Sequence, residues 1–382
     1  MSTPPINLNQ LEYQQIYDNI KSYIKSKSDF SDFDFDGSAL STILDILAYN
    51  THYHILFQNI LVNEMFLDSA QKVESLISHA KLLGKTVQNR YCSTARLKAS
   101  SVNSSSGISE FSRLVSLKTN NSVLNFYTID DSYSELVGAI WEITFDVYEA
   151  STVVVNQTFT VDVDKQSVYI PNSNIDLRTL RVDVRVGENL VRYQMGNASD
   201  SNPYENENIF YVENVSSGFD IIFPSRMTGV GLPLESDAEI KISYLVPSGS
   251  NGNDASSFTF PTEPSSPTSS TIGTGSSITS LTGNSSGGSG IRSLDSLKES
   301  IPKTFASQNR LVTKADIKSA LYDAGYASSI SNVTVEVDPS TAGKVWVSTD
   351  LGAGQEEVII AFINGRSVLG IEFKYGIVSG AS

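Results

Sequence analysis

The apolar residues of this chain change their period twice. Tyr13, Ile16, Tyr17, Ile20, Tyr23 and Ile24 recur on one face of a 3.6-residue repeat, which predicts a first helix. Asn9, with Glu12 three residues on, has the spacing of a capping box ahead of it. A short alternating run, Phe33-Asp34-Phe35-Asp36, leads into Gly37 and Ser38, and Ser38 stands where an N-cap belongs for a second helix over about Ala39–Asn63. In that helix Ser38, Ser41, Asp45, His52, Asn59 and Asn63 make a narrow polar stripe. Ile46, Tyr49, Tyr53, Leu56 and Ile60 make one apolar face, and Ile43, Leu47, His54, Phe57 and Leu61 make another. A helix apolar around most of its circumference has to be covered on several sides. A third helix is predicted over about Asp68–Leu83, with Ala70, Val73, Leu76, Ile77, Ala80 and Leu83 on its stripe and Gly84 at C′.

From about Thr94 to Val246 the period becomes two. Apolar residues alternate with polar ones in Trp141–Val147, from Val153 to Val163, from Leu180 to Val186 and through Ile240, Ile242 and Tyr244. Many short alternating strands between turn clusters predict a sandwich or a pair of small sheets. About Pro247 to Gly290 is dominated by Ser, Gly, Thr and Pro and reads as a linker or long loop. Partial order is favoured there, because Ile272, Ile278 and Leu281 can mark a weak strand. The last segment, from about Ile291, reads helix, helix, strand, strand, short helix, strand, with Thr313 and Asp316 capping its second helix. The expected fold class is therefore α+β and multidomain. Residues 1–93 form a helical bundle or assembly region, 94–247 one or more β-rich domains with sandwich-like small sheets, 248–290 a linker or loop, and 291–382 a small α+β module.

Composition narrows the function. A chain of 382 residues has room for two or three domains, and 40% hydrophobic residues supply their cores. Charged residues, at 18%, fall below the usual quarter or so, which with 25 Gly suits a β-rich structural protein. A net charge of −15 argues against nucleic-acid backbones and anionic membranes as partners. The single cysteine, Cys92, excludes an intramolecular disulfide framework. The first residues show neither a basic n-region nor an apolar h-region, so no signal peptide is expected, and no apolar run reaches a bilayer-spanning length.

Three motifs imitate chemistry. Asp32-x-Asp34-x-Asp36-Gly37 matches the first half of a calcium loop, but Leu40 and Ile43 stand at its ninth and twelfth positions, where ligands are required. His52 and His54 are two apart on a helix and point about 200° from each other, so they cannot share an ion. Gly283-x-Ser285-x-Gly287 has the spelling of a nucleophile elbow but lies in Ser/Gly-rich sequence without the strand-to-helix context. Nothing singles out a carboxylate pair for glycosidase work. No catalytic, cofactor-binding or metal-binding residues are expected, and no enzyme.

Five elements in the helical region carry a resemblance. They are Phe35-Asp36-Gly37-Ser38, Leu47-Ala48-Tyr49-Asn50, Asn63-Glu64, Phe66-Leu67-Asp68-Ser69-Ala70 and Ala80-Lys81-x-x-Gly84. Downstream, Ser293-Leu294-Asp295-Ser296-Leu297-Lys298 precedes Ile301-Pro302-x-x-Phe305, then Ser307-Gln308-Asn309-Arg310-x-Val312-Thr313-x-x-Asp316. Gly249–Asn253 echoes a Gly-Asn-Gly element. In these residues, about a third of its length, the chain resembles the baseplate wedge subunit of T-even-like contractile-tailed phages, a family related to baseplate J-like proteins. The resemblance implies a structural protein of the virion's tail baseplate, assembled in the host cytoplasm. It further implies a homodimer that joins an elongated helical partner through an N-terminal bundle, and contacts with a sheath-initiator-like subunit. C-terminal modules would pair between neighbouring wedges, close a ring around the tail hub and reshape when the sheath contracts.

The expected subunit interface is Leu40, Ile43, Leu47, Tyr49, Tyr53, Phe57 and Ile60, with Asn50, Asn63 and Glu64 satisfying backbone or partner groups beside them. Phe305, Asn309, Arg310 and Thr313 are the expected anchors and ring contacts of the C-terminal module. For each of these, ordinary packing within the chain is the plainer alternative. A tail-fibre or receptor-binding adhesin is the second reading; it suits the acidic, β-rich middle and fits the long helices poorly. A cell-wall hydrolase is a distant third.

Overall fold

The computed structural model describes residues 12–26, 38–88, 90–100, 102, 107–117, 123–159, 166–186, 188–196, 208–215, 217–223, 234, 238–260, 277–281, 283–290, 292–307, 310–327, 329–350, 356–367 and 370–377. The chain divides into two compact units, Met1–His79 and Ala80–Ser382. The architecture is mixed α+β: helices first, a β-rich middle, and a small α+β region at the end.

The first unit is helical. Helix α1 (Tyr13–Lys25) starts with the Glu12 N–H donating to Gln15 Oε1 at 3.3 Å. Asn9, the calcium-loop mimic and Gly37 lie outside the described residues. Ser38 caps helix α2 (Ala39–Met65) by accepting the Ser41 N–H at 3.0 Å. The Tyr13 hydroxyl donates to Asp45 Oδ1 at 2.8 Å, and Ile16 is buried, which pins α1 to the first half of α2. Helix α3 (Val73–Leu82) begins later than the apolar stripe predicts. Its approach is shaped by the end of α2: the Asn63 backbone carbonyl accepts the Ser69 hydroxyl at 2.9 Å, and the Glu64 carboxylate accepts the N–H groups of Gln71 and Lys72. At its far end Gly84 adopts φ +69°, and Lys85 N–H returns to Ala80 O, the C-cap its sequence predicts.

The second unit holds two seven-stranded sheets. The first runs Ser257–Thr259, Arg113–Leu117, Val123–Tyr127, Ile140–Glu149, Thr94–Ser100, Ser277–Ser280, with Glu135–Val137 also on Ile140–Glu149. The second runs Thr152–Phe159, Ile240–Val246, Arg181–Val186, Asn189–Met195, Ile209–Val215, Gly218–Ile222, Ser167–Ile170. Each has its own core, around Leu97, Phe126 and Phe145 in one and around Val182, Phe219 and Ile242 in the other. Alternation along Thr94–Ser100 puts Ala95, Leu97 and Ala99 inward, as a period of two demands. Two strands come from the Ser/Gly-rich stretch, and Ile278 lies in one of them, opposite Ala99. Ser285 is buried there: its hydroxyl donates to Gly252 O at 2.7 Å and accepts the Ala255 N–H at 2.9 Å, so it serves a turn and no nucleophile.

The C-terminal region follows its predicted order: α4 (Leu294–Ser307), α5 (Lys314–Asp323), strands Thr334–Val337 and Lys344–Ser348, α6 (Glu356–Asn364) and strand Glu372–Tyr375. The first two strands are antiparallel, and the last lies parallel to Lys344–Ser348 after the α6 crossover. Leu321, Val335, Val347, Ile359, Ile363 and Phe373 are in its core.

A polar strap, residues 85–94, joins these parts. Thr86 Oγ1 donates to Val212 O at 2.7 Å, and Val87 exchanges two bonds with the Asn214 side chain. Tyr91 and Thr94 bridge Ser289 and Ser286. Gly325, at φ +81°, lets the Tyr91 ring lie flat on the backbone; a Cβ there would sit 2.7 Å from Tyr91 Cδ1. Gly325→Ala combines a left-handed backbone with overpacking. It is expected to cost about 2–4 kcal/mol in urea unfolding, and an unchanged midpoint would contradict this packing.

Candidate assembly surface

In α2 only Ser41, Leu44 and Ala48 are buried, and His52, Ile55, Asn59 and Asn63 are half-buried. These residues trace one stripe down the helix, and most of the polar stripe read in the sequence belongs to it. The inward stripe therefore mixes apolar Leu44, Ala48 and Ile55 with polar Ser41, His52 and Asn59, and the apolar side chains on either side of it point away. On one face Ile46 is 61% exposed and Tyr53 is 40% exposed; on the other, Phe57 is 62% and Leu61 64% exposed. The inward stripe carries a cost, since His52 Nδ1 is buried with no hydrogen-bond partner among the described residues.

Of the predicted interface residues, Ile43, Leu47, Tyr49, Tyr53, Phe57 and Ile60 are exposed on α2, and Leu40 is half-buried at its start. Tyr49, Tyr53 and Phe57 form a ring ladder, with centroids 4.7 Å and 6.3 Å apart. Ile46, Leu56, Leu61, Met65 and Phe66 extend the same surface beyond the predicted set. Their signal was present in the two apolar faces. Asn50 is exposed; Asn63 Nδ2 donates to Asn59 O at 2.9 Å. Glu64 is engaged inside the chain at the start of α3. Partial burial opposes its ionisation, but the Ser75 hydroxyl and the N–H groups of Gln71 and Lys72 hold the carboxyl below its ordinary value. Phe57, Ile60, Leu61, Glu64 and Lys72 border an open groove of about 500 Å³.

The C-terminal candidates separate. Phe305 and Arg310 are exposed, as is the neighbouring Val312. Thr313 caps α5, accepting the Asp316 N–H at 3.2 Å while Asp316 accepts the Thr313 N–H at 2.8 Å. Asn309 lies outside the described residues.

Among the described residues no three metal-ligating side chains converge, and no helix is long and apolar enough to cross a membrane. Burial pushes the Cys92 thiol well above its ordinary value, which keeps it an unreactive thiol.

A helix whose two apolar faces lie open, set between shorter helices, offers a surface for assembly. Residues 12–85 match the family described as baseplate wedge protein gp6-like, helical domain. A curated relative, baseplate wedge protein gp6 of Enterobacteria phage T4, is 35% identical over 69 residues, which is 18% of this chain and 10% of the relative's length. Among solved structures, the baseplate of the anti-feeding prophage aligns over 97% of this chain and 80% of its own, at 12% identity and a TM-score of 0.31. The TssK-TssF-TssG baseplate subcomplex of a type VI secretion system aligns over 88% and 96%, at 7% identity and a TM-score of 0.36. Structural likeness at these scores carries no argument about the fold or function of the chain.

Proposed function

We propose that this chain is a structural subunit of a contractile tail baseplate, resident in the virion and without enzymatic activity. The open apolar faces of α2 are the observation that carries the reading. Their apolar side chains gain roughly 1 kcal/mol or more each when the remaining half of their surface is covered. Together they supply on the order of 10 kcal/mol before the costs of association.

One occupant of this surface is a second copy of the chain. No Asp, Glu, Lys or Arg occurs between Asp45 and Glu64 in a chain of net charge −15. Two acidic copies can therefore meet along this helix without like charges opposed. Other baseplate subunits, an elongated helical one among them, cover the remaining apolar face. In this reading residues 1–93 assemble the wedge, and 94–247 with the loop 248–290 form its body. Residues 291–382, through Phe305 and Arg310, meet the neighbouring wedge to close a ring that reshapes on contraction. The adhesin reading has only a smaller exposed apolar cluster on the β-region, Tyr133, Leu136, Val137 and Ile140, beside the longer open surface of α2.

Purified particles carrying an affinity tag on this chain, labelled with gold and imaged, test the proposal. Label is expected at the base of the tail. Label on fibres or capsid, or particles without the chain, would overturn it.

A further inference from the structure

The strap meets the second sheet and the C-terminal helices through different chemistry. Toward the sheet it is held by hydrogen bonds to Val212, Asn214 and the buried Asp176. Toward α4 and α5 it is held by a buried ionic junction, beside the Tyr91 ring packed on Gly325. Asp323 Oδ2 takes Lys85 Nζ at 2.8 Å, and Asp323 Oδ1 takes Arg292 Nη1 at 2.9 Å. Arg292 Nη2 also donates to the Tyr91 hydroxyl at 2.6 Å, and that hydroxyl donates to Asp323 O. Lys85 Nζ reaches Ser300 Oγ on α4 at 3.1 Å. The Lys85 and Arg292 side chains are less than a tenth exposed.

We propose that this junction is a releasable latch: opening it frees the region from Arg292 onward as a body, while the strap stays fastened to the second sheet through Asp176. Two observations support it. The C-terminal core, from Leu311 to Phe373, shares no member with the cores of the two sheets, so α5, α6 and the three strands keep their own packing after release, and α4 stays on α5 through the contact between the Ser296 and Tyr322 hydroxyls. The junction itself is a poor net attraction. Desolvation of buried charges offsets most of their Coulomb gain. Burial pulls the Lys85 ammonium below its ordinary value, and Asp323 restores only part of it. A core held by dispersion and a junction held by marginal ionic balance give one body two discrete positions, as rigid-body switches require. The latch belongs to the isolated chain and does not depend on the baseplate reading.

Thiol labelling of the full chain tests it. Ser300→Cys places a thiol in the junction, where Ser300 is buried, and native Cys92 reports the strap on its Asp176 side. Labelling through local opening follows the population of the open form. Adding Asp323→Asn is expected to speed labelling at position 300 on the order of tenfold or more, with the Cys92 rate unchanged. An equal rise at both thiols would show one cooperative core and overturn the latch, as would no rise at position 300. Lys85→Met, which leaves Arg292 paired with Asp323, should give a smaller rise at position 300 alone. It decides by the same criterion if the Asp323 variant does not fold.

Discussion

Changing Tyr53 and Ile60 together to Asp is expected to leave the chain folded and to abolish its self-association. Both positions are exposed on α2, so inside the unit the substitutions remove only partial cover, chiefly the ring contacts of Tyr53 with Tyr49 and Phe57. The local cost is helix propensity, about half a kcal/mol per residue. Across an interface the account reverses. Each copy loses the burial of two large apolar side chains and must strip water from two carboxylates in an otherwise uncharged surface. Roughly 5 kcal/mol per copy is at stake, which weakens pairing by more than about three orders of magnitude. Size-exclusion chromatography with light scattering should show a larger species for the parent chain and a monomer for the variant. Circular dichroism of the two should superimpose. A variant that keeps the parent's mass would remove α2 from the interface, and a parent chain that is already monomeric would remove the pairing itself.

The same helix shows what a sequence discloses and what it withholds. Its limits were legible because Ser38 is a strong cap and because apolar residues recur at helical spacing through Leu61. Its two apolar faces were legible for the same reason. Their orientation was not. Periodicity separates faces but does not say which one is turned inward, and the ordinary expectation puts the polar stripe outside. Here Ser41, His52 and Asn59 are turned in, since the faces that α1 and α3 leave uncovered are the apolar ones.

The strands were legible from alternation in Arg181–Val186 and Ile140–Glu149, whereas their neighbours were not. Pairing of Ser277–Ser280 with Thr94–Ser100 joins positions nearly half the chain apart and leaves no local mark. The C-terminal order was legible because each of its elements carries its own period or cap, as Thr313 and Asp316 do. The junctions that join the regions were invisible. Lys85, Arg292 and Asp323 look like scattered surface charges until the fold gathers them, and Asp176 looks like a turn residue.

Asp176 is the position where a single substitution should cost the second unit most. Its carboxylate is fully buried and saturated with donors. Cys92 N–H donates at 2.7 Å, Gln88 Nε2 at 2.8 Å, Arg178 N–H at 3.0 Å and Arg178 Nη2 at 2.7 Å. Arg178 Nη2 also reaches Cys92 O at 3.1 Å, so the strap is gripped from both sides. Burial alone would raise this carboxyl, but the Arg178 guanidinium and the donors from Cys92 and Gln88 outweigh it and hold the group below its ordinary value. Asp176→Asn keeps the shape while turning one acceptor into a donor aimed at donors, and it leaves the half-buried Arg178 without its counter-charge. The expected loss is about 3–5 kcal/mol at neutral pH, read by urea unfolding with the fluorescence of Trp141 and Trp346. The sign of the pH dependence follows from the lowered value. The carboxylate's contribution is complete above the unfolded value near about 4 and disappears as pH falls through the folded one. Parent and variant should therefore differ most at pH 6–8 and converge in acid. A loss under about 1 kcal/mol, or a gap that widens on acidification, would mean that the strap is not fastened by this charge.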